Sequence, residues 1–147
     1  MNAAMGPVKQ SEIPTDWSFD WNYIWDRTDF DCQGIVKIAV KSNVWGLMRY
    51  GLYPYPSNKP SFLLIEELEA HPVRRPIETY AYKNSPPPSP RPYVTPVGQW
   101  LIWHACYTAL VYCNAQKNSC DPLVALEAKP DAVAYYKDII GMAMGNT

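Results

Sequence analysis

Three groups of residues in this chain have types suited to chemistry. Glu66, Glu67 and Glu69 stand together on one predicted strand, just before His71. Carboxylates placed so can draw a proton from an amine through water and attract a cationic acceptor. Solvated charges on an edge strand are the commoner origin of any one of them. Strict alternation puts Glu67 and Glu69 on one face and Glu66 on the other. Gly98 opens a long helix, where backbone N–H groups and the positive end of the dipole can hold a phosphate. The same glycine is also accounted for as a helix start after a proline, with no ligand. Tyr135 and Tyr136 are neighbours on a helix that stops at Gly141. Each phenol can donate a proton, or pack and bond to the backbone.

These groups need a scaffold to position them. Residues 1–15 read as a flexible N-terminal arm, and 16–147 as a single domain. DWSFDWNYIWDRTDFD sets Trp17, Trp21 and Trp25 at i, i+4, i+8, which predicts a helix anchored on the core by its indoles. GIVKIAVK (34–41) alternates as a half-buried strand does, and Ser42-Asn43 turns it into an antiparallel partner, VWGLMRYGLY (44–53). SFLLIEELEA (61–70) has Glu and Leu enough for a helix, but Pro60 before it and Pro72 after it favour a third strand. The stretch 73–96 is a long proline-rich loop. VGQWLIWHACYTALVYCNAQK (97–117) follows as the main helix, with His104 a core histidine rather than a catalyst. DPLVALEA (121–128) reads as a short strand, and PDAVAYYKDIIG as a helix with Pro130 in its first turn and Gly141 at its end.

Composition narrows the classes of function. A chain of 147 residues with 48% hydrophobic content suits one core. A net charge of −1 and no basic run argue against a nucleic-acid partner. No apolar run is long enough to cross a bilayer, and MNAAMGPVKQSEIP has no apolar signal core, so a cytoplasmic protein is expected. The four cysteines include no close C-x-x-C pair, so neither a metal site nor a disulfide framework is expected, but reduced, packed thiols.

The order of elements resembles the GNAT superfamily of N-acetyltransferases over roughly Gly34 to Met142. LEAHP (68–72) is similar to the stretch ending the family's fourth strand. PVGQWLIWHA (96–105) stands where the family's acyl-CoA loop opens the long helix, and LVALEAKPDAVAYYKDIIGM (123–142) resembles its strand, tyrosine helix and glycine ending. Pro96 takes the place of the first motif glycine and Tyr93 that of an Arg or Gln, so Arg91, Arg74 or Arg75 would supply the missing charge.

The resemblance implies an α/β (α+β) fold with a mixed, mostly antiparallel sheet flanked by helices, ending short of the family's last strands. It implies acetyl-CoA as co-substrate, with pantetheine along the backbone of Leu68 to Ala70 and pyrophosphate at Val97, Gly98, Gln99 and Trp100, helped by Arg91. It makes Tyr136, five residues before Gly141, the acid for the leaving thiolate, and Tyr135 packing. Glu67 and Glu69 are the candidate bases. The expected acceptor is a small-molecule or peptide amine. A sheet ending early leaves an edge that a homodimer would cover. The alternative is a non-catalytic binding protein of this fold, or a small subunit of a larger assembly.

Overall fold

The computed structural model describes residues 3–53, 62–72, 97–115, 122–128 and 130–143. Its strands are β1 (Ala3–Pro7), β2 (Gln33–Val40), β3 (Asn43–Tyr53), β4 (Phe62–Ala70) and β5 (Val124–Leu126), joined in one sheet in that order. β1 to β4 are antiparallel neighbours, and β5 runs parallel to β4. The sheet is therefore mixed and mostly antiparallel, as expected. The expected N-terminal arm is corrected. Ala3–Pro7 pairs with Val36–Val40, and Val8 and Ile13 are buried, so this stretch is an edge strand of the sheet rather than a free arm.

Helix α1 (Trp21–Arg27) packs on one face of the sheet and helix α2 (Val97–Ala115) on the other. On the α1 side, Trp21, Ile24, Ile35 and Leu47 close a core that Trp17, Phe19 and Trp25 border. On the α2 side, Val36, Ile38, Met48, Leu63 and Ile65 meet Leu101, Ile102 and Ala105. Covered on both faces, β2 is buried at five of its eight residues rather than at every second one. α1 is shorter than the tryptophan spacing predicts: Asp20 caps it by accepting from the Tyr23 N–H at 3.1 Å, so Trp17 packs from outside the helix. The hairpin turn lies one residue earlier than expected. Val40 pairs with Asn43, leaving Lys41 and Ser42 as the loop, with Lys41 at φ 55° as a tight hairpin demands.

Two irregularities shape the far end of the sheet. In β4, Arg49 pairs with Glu67 and Tyr50 with Ile65, so Glu66 is an extra residue, a β-bulge. β5 matches β4 only at Leu63, Leu64 and Ile65, just short of that bulge. Beyond it, the edge of β4 from Glu66 to Ala70 has no strand beside it among the described residues. After β5, a turn of 3₁₀-helix (Pro130–Ala132) leads into a π-helix, Tyr135–Ile140. Gly141 ends it at φ 87°, with its N–H and that of Met142 both donating to the Tyr136 carbonyl.

Candidate active site

The bulge, the end of β5, the first turn of α2 and the π-helix converge on the open edge of β4. Gly98 reports this most directly: a Cβ at that position would lie 3.5 Å from the Tyr135 hydroxyl and 3.8 Å from Leu68 Cδ2. Leu68, Gly98 and the Tyr135 hydroxyl thus lie together at the start of α2, while Tyr136, the expected acid, packs beside them on the α2 core. Leu68 and Ala70 turn their side chains to the α2 core, leaving their backbone at the strand edge. Val97 is 4% exposed, and its docking depends on Gly46, where a Cβ would sit 2.4 Å from Val97 Cγ1. The Val97 side chain is thus committed to the core, leaving only its backbone at the helix start. Gln99 and Trp100 are exposed in the same first turn, whose N–H groups lack intrahelical acceptors. Arg74, Arg75, Arg91, Tyr93 and Pro96 lie outside the described residues.

The three glutamates divide differently from the expectation. Glu69 is not available as a base. Its carboxylate is 6% exposed and accepts from the Ser18 N–H at 2.7 Å, the Phe19 N–H at 3.0 Å and Trp21 Nε1 at 2.9 Å. It is the fastening of the segment that leads into α1. Glu67 is clamped by Arg49, whose Nε and terminal nitrogen donate to its two oxygens at 2.6 and 2.8 Å. Such a bidentate pair spends both oxygens and holds the Arg49 guanidinium above its usual range.

Glu66 is the carboxylate that alternation misassigned. A bulge sends two successive residues to one side, so Glu66 and Glu67 both face α1. Gln33 Nε2 donates to Glu66 at 2.6 Å, and Arg49 Nε stands 3.8 Å from the same oxygen. Glu66, Glu67 and Arg49 line a cavity of about 430 Å³ with Tyr23, Ile24, Arg27 and Gln33. That cavity lies under α1, at the level where β5 leaves β4. Nothing in the sequence marked the bulge, since no Gly or Pro stands in ELEA or in LLIEE.

The tyrosines also separate. Tyr136 packs on the α2 core, and burial, then the neighbouring Tyr135, push its phenol above its ordinary value. It stays protonated at neutral pH. Tyr135, expected to be packing, is more exposed and carries its hydroxyl to the first turn of α2. The two rings meet edge to face at 5.3 Å. The π-helix widens this turn, and such insertions recur at functional sites.

His104 shares a hydrogen bond of 3.3 Å with Thr108 and sits half-buried, its pKa lowered by burial, a core histidine as expected. His71 is held between Trp17 and Trp45. The thiol expectation is corrected at one position: Cys113 is disulfide-bonded, while Cys32 and Cys106 are free. No helix among the described residues is long and apolar enough to cross a membrane.

No family model matches the sequence, and no curated protein does. Solved structures do match the fold. A transcriptional regulator from Bacillus halodurans C-125 superposes with a TM-score of 0.67 at 10% identity, covering 99% of this chain and 96% of that one. An acetyltransferase of Trypanosoma brucei gives 0.63 at 12% identity, with the same coverage. Glucosamine-6-phosphate N-acetyltransferase from Arabidopsis thaliana gives 0.58 at 11% identity, over 100% and 95% of the two chains. At such identities the likeness speaks for architecture alone. The chain is a divergent protein of the GNAT fold.

Proposed function

We propose that the protein is an acetyl-CoA-dependent N-acetyltransferase that passes the acetyl group directly to a primary amine in a ternary complex. One observation carries this reading. Where β5 leaves β4, the open strand edge, the first turn of α2 and the Tyr135 hydroxyl come together, with Tyr136 packed on the same side and the cavity with Glu66 across the sheet. Pantetheine would extend along the backbone of Leu68–Ala70, pairing as an added strand does. The pyrophosphate would meet the N–H groups of Val97 to Trp100 at the positive end of α2.

The acceptor would enter from the α1 side. Glu66, directly or through a water, takes the proton that makes its ammonium a neutral amine. The amine nitrogen adds to the thioester carbonyl carbon, and the tetrahedral adduct collapses with cleavage of the carbon–sulfur bond. The Tyr136 phenol gives its proton to the departing thiolate, and the proton lost by nitrogen restores the balance. A phenol held neutral by burial suits that step.

The test is release of free CoA thiol from acetyl-CoA in the presence of a panel of amines. Turnover with at least one amine is expected, reduced about a hundredfold or more in Glu66→Gln if that carboxylate is the base. The second reading, a binding protein of the same fold, draws on Glu67 and Glu69 being fully engaged in structure. Acetyl-CoA binding with no turnover above buffer for any amine would select it.

A further inference from the structure

Helix α2 has an outer face that the acetyl-transfer reading does not use. Between Val97 and Ala115 there is no Asp, Glu, Lys or Arg. Its inner residues are buried against the sheet, which explains half of that composition. The outer half is apolar as well. Trp100, Trp103, Tyr107, Leu110 and Val111 are 45, 52, 54, 45 and 49% exposed. Steps of three and four residues from Trp100 through Trp103 and Tyr107 to Leu110 form the seam by which helices pair. The rings are ordered along it, Trp100 edge-on to Trp103 at 6.0 Å and Trp103 stacked on Tyr107 at 5.6 Å.

We infer that this face is the contact between two copies of the chain, α2 packing against α2 across a twofold axis. Charge selects the occupant. A twofold contact sets the same surface against itself, so like charges would repel, and this surface carries none. A helix lying on a lipid surface carries Lys and Arg on its polar face, which α2 lacks. Area agrees: three half-exposed rings contribute roughly 300–400 Å² and the two aliphatic side chains more. That makes an apolar centre for a standard interface of about 800 Å² per partner, with Gln99 and Asn114 toward its rim. The inference stands independently of any catalytic activity.

The test is sedimentation of the full chain over a range of micromolar concentrations, beside a cross-linking measurement. A dimer is expected. Trp103→Glu would weaken it roughly thirtyfold or more, as loss of a central tryptophan does, with far-UV circular dichroism unchanged. Tyr107→Lys serves if that variant does not fold. Cys106, a free and exposed thiol between Trp103 and Tyr107, lies near the middle of the seam. A short bismaleimide should therefore join two wild-type chains, and Cys106→Ser should abolish the product. A monomer throughout overturns the inference. So does a dimer that survives both substitutions, which would pair elsewhere, or a monomer that sediments with neutral or anionic vesicles.

Discussion

Replacing Glu69 by alanine tests whether this glutamate fastens the fold rather than the chemistry. In the folded chain its two oxygens take three N–H donors, from Ser18, Phe19 and Trp21. Trp21 is fully buried, so its indole N–H has no route to water once the carboxylate is gone. A stranded buried donor costs about 1–3 kcal/mol. The two backbone donors are partly buried and can recruit solvent, which puts them at the lower end. The sum is about 3–5 kcal/mol, a large part of the roughly 5–15 kcal/mol that holds a domain together. Urea unfolding followed by tryptophan fluorescence should show that loss as a lower midpoint at unchanged slope. A second substitution, Trp21→Phe, removes one of the three donors, so Glu69→Ala should cost less in that background. Stability within about 1 kcal/mol of wild type would refute the reasoning, since the low end for three stranded donors already exceeds it. Full stability with abolished turnover would return Glu69 to the chemistry.

Tyr136→Phe should lower kcat of acetyl transfer about a hundredfold with acetyl-CoA affinity nearly intact, because only the proton donor is lost. Tyr135→Phe, at the first turn of α2, should instead weaken acetyl-CoA binding with little change in kcat; steady-state kinetics on both variants would expose identical behaviour, which the reasoning forbids. Burial lowers the pKa of His71 and His104, so the unfolded chain takes up protons near pH 6.5 before the folded chain does. Their contribution is therefore complete above about pH 7 and is lost as pH falls from about 6.5 through their lower folded-state values. Thermal melting should drop between pH 7.5 and 5.5, less steeply in His104→Gln, and a flat profile would contradict it. Glu12, depressed mainly by its hydrogen bond from Lys37, acts only at lower pH and leaves that window clear.

Much of this architecture was legible because the signals were local. Alternation located β2 and β3, the flanking prolines turned Phe62–Ala70 from helix to strand, and Gly141 marked a left-handed cap. What escaped depended on distant partners. Ala3–Pro7 has poor strand formers and becomes a strand only because β2 offers an edge. The bulge at Glu66 is a mismatch between two strands, invisible in either alone, and it reversed the choice among the glutamates. Glu69 reads as a surface charge until Ser18, Phe19 and Trp21 are folded over it. The tyrosine pair could be placed on a helix, but which hydroxyl reaches Gly98 was set by the π-turn.

The central claim is that the slot between β4, α2 and the π-helix holds acetyl-CoA. The most direct measurement is the thermal midpoint of wild type and Gly98→Asp, with and without acetyl-CoA. Wild type should be stabilised, by about 2.7 kcal/mol at a hundred times the dissociation constant. Gly98→Asp should fold normally, since its Cβ finds ordinary contacts and an acid in the first turn suits the helix dipole. It should nevertheless lose the shift, because its carboxylate repels the pyrophosphate. No shift for wild type at millimolar acetyl-CoA, or equal shifts for both proteins, would contradict the account.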